Sequence, residues 1–168
     1  MATKTAQDYI GIYLNDHLAG ATSGMELARR MAGAADPGSE SAVLLQKVAD
    51  EIAADRAALI AMMNALGVPV RGYKVFAAWA GEKAGRVKLN GHLLSRSPLS
   101  DLEETEILRL GVAGKAAGWR TLRTLADTDS RLDAAQLDAL LAKAARQEGE
   151  LEDLRVRVAD GVLSNWSK

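Results

Sequence analysis

The sequence contains an internal repeat of one helical hairpin, and this repeat constrains the fold more than any other feature. Residues 19–24 (Ala-Gly-x-x-x-Gly) recur 94 positions later as residues 113–118. Residues 44–49 (Leu-Leu-x-Lys-x-Ala) recur 96 positions later as residues 140–145. Similar offsets in two separate segments indicate a duplicated helix–turn–helix, and two such hairpins predict a four-helix bundle.

The composition agrees with an all-α chain. Its 168 residues are a usual length for one domain, so we expect a single helical domain over 1–168. Aromatic residues make up only 4%, cysteine is absent and the net charge is −1. These values exclude disulfides and thiolate zinc sites, and they argue against nucleic-acid binding. With no signal peptide and no long apolar stretch, we expect a cytoplasmic protein.

Apolar periodicity and helix-breaking residues divide the chain into two hairpins and a crossover. The hairpins are predicted over 5–67 and 98–163, with Ser39 and Asp133 as N-caps of their second helices. The crossover over 68–97 is long enough to return along the bundle and to contain a short helix at about 73–87. A bundle with one long crossover between its second and third helices has the topology of ferritin-like folds.

Two more expectations concern packing. Five glycines lie inside helices, where each costs roughly 1 kcal/mol relative to alanine, so we expect them to let the first and third helices approach closely. They are Gly20, Gly24, Gly111, Gly114 and Gly118. The buried side of the third helix is predicted to contain Leu102, Ile107, Leu110, Leu122 and Leu125.

Polar residues interrupt the apolar stripes. His17 and Asp55 lie on the inward stripes of the first two helices, at the same distance from the hairpin turn. We therefore predict that they face each other as a buried hydrogen-bonded pair. Glu51 flanks the stripe of the second helix, and Glu148 lies on that of the fourth, where Lys115 could neutralise it.

The predicted bundle resembles the ferritin-like superfamily, and residues 13–20 (Tyr-Leu-Asn-Asp-His-Leu-Ala-Gly) resemble the first helix of uncharacterised bacterial members. The resemblance implies a fold and no activity. In di-iron members, two helices each supply a Glu and the other two each supply a Glu-x-x-His pair. This chain has no Glu-x-x-His, so we expect the standard di-iron centre to be absent.

Three interpretations of the central polar residues stay open. In the first, His17 and Asp55 form a structural pair. In the second, His17, Glu51, Asp55 and Glu148 form an altered, mononuclear metal site; no cofactor is expected otherwise, and iron or manganese would suit these ligands. In the third, a small-ligand pocket lies at the same level.

The crossover suggests a partner-binding surface. It contains six basic residues and one acid between positions 70 and 97, with aromatic side chains among them. Such a segment can bind an acidic partner or an anionic membrane, or simply cover the bundle. The residues that would form this surface are Lys74, Phe76, Trp79, Lys83, Arg86 and Lys88.

Together these observations predict a ferritin-like bundle with a structural or binding role rather than an enzyme, and a homodimer. The alternatives are a metal-dependent oxidoreductase or metal-storage protein with a non-standard site, and a peripheral membrane or partner-binding protein that uses the crossover.

Overall fold

The computed structural model describes residues 4–71 and 97–164, and within these ranges the chain forms four α-helices and no strand. They are α1 (Ala6–Ala34), α2 (Glu40–Ala65), α3 (Pro98–Ala126) and α4 (Ala134–Leu163). The predicted all-α architecture is confirmed for these residues, and the helix ends lie close to the predicted ones. The short helix predicted at about 73–87 lies outside the described residues.

Each helix begins at a residue whose side chain accepts a hydrogen bond from the backbone of the first turn. These N-caps are Thr5, Ser39, Ser97 and Asp133. The predicted caps at Ser39 and Asp133 are thereby confirmed. Past the end of α2, Gly67 adopts a φ of 70°, a left-handed conformation that favours glycine and stops the helix.

The helices pair as two hairpins that pack on each other. α1 packs most extensively against α2, and α3 against α4. The hairpins meet through α1 and α3, and with fewer close backbone approaches through α2 and α4. Side-chain contacts fix an antiparallel register between α1 and α3: the Tyr13 and Thr121 hydroxyls are 3.0 Å apart, and Arg30 forms a 3.0 Å ion pair with Glu104.

This register brings the two copies of the glycine repeat together but leaves most of their glycines open. Gly20 and Gly114 lie at the same level of α1 and α3, yet a Cβ built on either, or on Gly111, has no described atom within 4 Å. Only a Cβ on Gly118 would be crowded, at 3.0 Å from the His17 ring. The predicted close approach is therefore correct for Gly118 and wrong for Gly20, Gly111 and Gly114. The fifth, Gly24, faces Ile52 of α2 at 4.0 Å rather than α3.

Two apolar clusters fill the bundle, one toward each end. The first is formed by Leu14, Leu18, Leu59, Met62, Met63, Leu66, Val68, Trp119, Leu122, Leu132, Leu137 and Leu140. The second is formed by Ala28, Met31, Leu45, Val48, Ala49, Ile52, Leu108, Val112, Ala116, Ala144, Leu151 and Leu154. Polar side chains lie between the two clusters, at the middle of the bundle.

The buried face of α3 differs from the predicted one. Of the five predicted positions, Leu122 is buried as predicted and Leu102 and Leu125 are partly buried, but Ile107 and Leu110 are 45% and 65% exposed. The buried positions are Thr105, Leu108, Val112, Ala116, Gly118, Trp119 and Leu122. Small residues occupy much of this helix, so its apolar pattern fits more than one face. The large Leu108 and Trp119 side chains bury more apolar area and decide which face turns inward.

Candidate functional site

A buried carboxylate bound by two ammonium groups lies at the centre of the bundle. Asp55 on α2 is 1% exposed. Its Oδ2 accepts a hydrogen bond from Lys115 Nζ at 2.6 Å, and its Oδ1 accepts one from Lys143 Nζ at 2.8 Å. Since Lys115 lies on α3 and Lys143 on α4, one side chain joins three helices and both hairpins.

A buried amide extends this arrangement. Gln147 is fully buried, and its Oε1 accepts a hydrogen bond from Lys115 Nζ at 2.5 Å. Its Nε2 donates to Glu51 at 2.7 Å, and the other Glu51 oxygen pairs with Arg146 at 2.7 Å. We refer to Glu51, Asp55, Lys115, Lys143, Arg146 and Gln147 as the central network.

The spacing of the helices explains how these residues meet. Glu51 and Asp55 are four residues apart on α2, and Lys143 and Gln147 are four apart on α4, so each pair shares one helix face. Gln147 continues the buried stripe of α4 formed by Leu137, Leu140, Ala144, Leu151 and Leu154. The antiparallel packing of α2 and α4 then sets the two polar pairs opposite each other.

The negative charge of the buried Asp55 carboxylate is neutralised by the lysine ammonium groups. Burying the Asp55 carboxylate alone would be costly, and two ammonium groups within hydrogen-bond distance offset that cost. Burial lowers the pKa of Lys115 below its usual value of 10.5, although the Asp55 carboxylate opposes the shift. Lys143 is more exposed, with 31% of its side chain accessible. Lys115 is therefore the partner that depends most on Asp55.

The predicted pair of His17 and Asp55 is wrong, because the two side chains lie on different faces of the bundle. His17 is half-buried against Gly118 of α3, and its ring centroid is 4.4 Å from that of Tyr13. Within residues 4–71 and 97–164, the His17 side chain forms no hydrogen bond. Burial lowers the pKa of His17 below 6.5, and Asp16 opposes the shift.

The predicted partner of Lys115 is also wrong. Lys115 does lie at the core edge, but it binds Asp55 and Gln147 rather than Glu148. Glu148 is partly exposed and lies 3.7 Å from Arg109. The buried stripe of α4 passes through Gln147, and Glu148 is turned by about 100° from it.

The four residues proposed as metal ligands do not share one coordination site. Glu51 and Asp55 belong to the central network, whereas His17 and Glu148 do not. Among the described residues, no three His, Asp or Glu side chains converge as a metal site would require. Both Asp55 oxygens already accept hydrogen bonds from ammonium groups, so this donor set does not fit iron or manganese as arranged. Metal binding by these residues stays a prediction.

Sequence reasoning missed Lys143 and Gln147 as members of the centre. Lys143 belongs to the repeated Leu-Leu-x-Lys-x-Ala motif, and its equivalent Lys47 forms an ion pair with Glu150 at 2.8 Å across the same pair of helices. The repeat was therefore an available signal that these lysines bridge α2 and α4. The partner surface predicted for Lys74, Phe76, Trp79, Lys83, Arg86 and Lys88 lies outside the described residues.

The structure also has a cavity of about 510 Å³ at one end of the bundle, away from the central network. It is lined by Ala6, Gln7, Ile10, Leu66, Thr121, Thr124, Leu125, Asp129 and Arg131. Asp129 and Arg131 pair with each other there at 2.6 Å. The small-ligand pocket considered above was expected at the level of the central residues, so this cavity is a different feature.

Comparisons with known proteins give no match among protein-family models, curated proteins or solved structures. Within the described part of the chain, no helix combines the length and the apolar character needed to cross a membrane.

Proposed function

We propose that this protein is a ferritin-like helical bundle with a structural or binding role, in which ion pairs occupy the centre where di-iron members bind metal. The observation that supports this most directly is the environment of Asp55. Both of its carboxylate oxygens bind lysine ammonium groups, one at 2.6 Å and the other at 2.8 Å. Cationic side chains thus supply the positive charge that a metal ion would otherwise bring.

The proposed role of the central network is to join the two hairpins in one register. Asp55 belongs to the first hairpin, and both of its ammonium partners belong to the second. Lys47 and Glu150 add a further cross-hairpin ion pair at 2.8 Å. Apolar side chains can pack in more than one register of the two hairpins. A buried charge is stable only in the register that brings its oppositely charged partners within reach, so the network favours a single register.

The packing supports the proposed topology. α1 is adjacent to both α2 and α3, and the repeated glycines Gly20 and Gly114 lie at one level, as two related hairpins around a pseudo-two-fold axis would place them. We extend the proposal to a cytoplasmic homodimer. Light scattering coupled to size exclusion tests the dimer, and a single-chain mass would refute that part.

Metal analysis is the decisive experiment for the centre. Tag-free protein is exposed separately to Fe(II), Mn(II) and Zn(II), desalted and analysed for its metal content. We expect no stoichiometric metal in the wild type, because the carboxylate that would bind it is already paired.

Two variants make the result specific. Asp55→Ala removes the central carboxylate, and Asp50→Ala removes an exposed one from the same helix. Stoichiometric metal in the wild type and in Asp50→Ala, but not in Asp55→Ala, would refute the proposal and support a metal-binding function. Metal content that is low and equal in all three proteins would support an ion-paired centre.

A further inference from the structure

We propose that the outer face of α3 binds α3 of a second copy of this chain in antiparallel orientation. This inference rests on the homodimer of the proposed function, and it names the surface that forms it. Three properties of that face support it: exposed apolar side chains, an ordered alternation of large and small residues, and the placement of two opposite charges.

The outer face of α3 has an exposed seam with the spacing of a coiled coil. Ile107, Leu110, Gly114, Ala117 and Thr121 recur at alternating steps of three and four residues, and all five are exposed. This spacing keeps one line of side chains facing a partner helix. Leu110 is 65% exposed and Ile107 is 45% exposed, so covering them with another helix would be favourable.

The seam is complementary in shape to itself when two copies run antiparallel. Its large residues, Ile107 and Leu110, come first, and its small residues, Gly114 and Ala117, follow. With a two-fold axis near Val112, Leu110 lies on Gly114 of the second copy. In the same register Ile107 lies on Ala117 of the second copy, and the axis repeats both contacts. A parallel pair would instead set large residues against each other and leave a gap where Gly114 meets its own equivalent.

The charges beside the seam favour the same antiparallel register. Glu106 and Arg120 are exposed on one side of the seam, seven residues before and after Ala113. Each therefore meets the other on the second copy, and the two-fold axis forms this pair twice. Arg120 forms no ion pair among the residues that the structure describes. Glu106 lies 3.9 Å from Arg155, whose closer partner is Glu152 at 2.7 Å, so Glu106 is available for a second cation.

Leu110→Asp tests the surface, with molecular mass measured by light scattering after size exclusion over a series of concentrations. It places a charge at the centre of the seam and should give the single-chain mass where the wild type has twice that mass. Val43→Asp is the matched control, since Val43 is 63% exposed on α2, and it should keep the dimer mass. Circular dichroism checks that both variants keep their helices.

An exchange of charges tests the register. Glu106→Arg and Arg120→Glu should each weaken dimerisation by about tenfold, because two attractive contacts become repulsive. An equimolar mixture of these two variants should recover the dimer, because the two copies then bring opposite charges to both contacts. Loss of the contact between Glu106 and Arg155 cannot explain this recovery, since the mixture does not restore it. Asp153→Arg and Arg157→Glu make the same charge changes on exposed positions of α4 and should leave dimerisation unchanged.

The outcomes separate this interface from the homodimer itself. A wild type with the single-chain mass at every concentration would refute both the proposed homodimer and this interface. A wild-type dimer that Leu110→Asp leaves intact would refute the interface alone. A mixture of the two charge variants that dimerises no better than either variant by itself would also overturn the proposed antiparallel register.

Discussion

Replacing Asp55 with alanine is expected to lower the free energy of unfolding by about 3 kcal/mol. Removing one partner of a buried ion pair costs about 3–5 kcal/mol, because the charge left behind has lost both water and counterion. Lys143 is 31% exposed and can return to solvent, whereas the Lys115 side chain is only 11% exposed. The cost therefore arises mainly from Lys115, which keeps Gln147 as an acceptor, and the lower end of the range applies.

Thermal and urea denaturation measure this effect. For a chain of this length, about 3 kcal/mol corresponds to a decrease in Tm of about 6–12 °C. Asp50→Ala is the matched control on the exposed side of α2, and its effect should stay within about 0.5 kcal/mol.

A triple variant separates a lost ion pair from a lost contact. Asp55→Leu combined with Lys115→Met and Gln147→Leu replaces the buried pair and the amide that Lys115 binds by apolar side chains. This triple variant should recover most of the stability, because no buried polar partner of Lys115 is left unsatisfied. If Asp55→Ala were no more destabilising than Asp50→Ala, the reasoning about the central network would be refuted.

Three further predictions concern the periphery. Gly118→Ala should lower the free energy of unfolding by about 1–2 kcal/mol, since its Cβ would lie 3.0 Å from the His17 ring. Gly114→Ala should raise it by up to about 1 kcal/mol, because its Cβ position is open and alanine favours the helix. Urea denaturation that showed shifts of the same sign for both variants would contradict this. Because the native pKa of His17 is lowered, the unfolded chain binds the proton more readily, so stability should fall as the pH drops below about 6.5 and less so in His17→Gln. By NMR, the Asp129 carboxyl should titrate at a pKa of about 2, returning toward 3.8 in Arg131→Ala; an unchanged midpoint would exclude their hydrogen bonds as the cause.

The inward stripe of α2 was predictable because it is long and strictly periodic. Its periodic positions are Leu45, Val48, Ile52, Asp55, Leu59, Met62 and Leu66, and all seven are buried. The stripe of α3 was not predictable in the same way. Many positions of α3 are alanine or glycine, which can face either the core or the solvent, so the apolar pattern does not single out one face. The packing of Leu108 and Trp119 against the neighbouring helices decides which face is buried.

The candidate site shows the same division. Periodicity alone indicated that a carboxylate at position 55 would be buried and would need a partner. It favoured His17 because that residue lies at the same distance from the turn, but distance from a turn fixes the level along a helix and not the direction in which a side chain points. His17 points toward Gly118 on α3 instead.

By itself, the sequence determined the helices, their caps, the two hairpins and the burial of Asp55, because these depend on short-range hydrogen bonding and on apolar spacing within one segment. Only the tertiary structure decided which cations bind that carboxylate. Lysine side chains are long and flexible, and Lys115 and Lys143 reach Asp55 from two different helices of the other hairpin. Their meeting depends on how the hairpins pack, which no local pattern specifies.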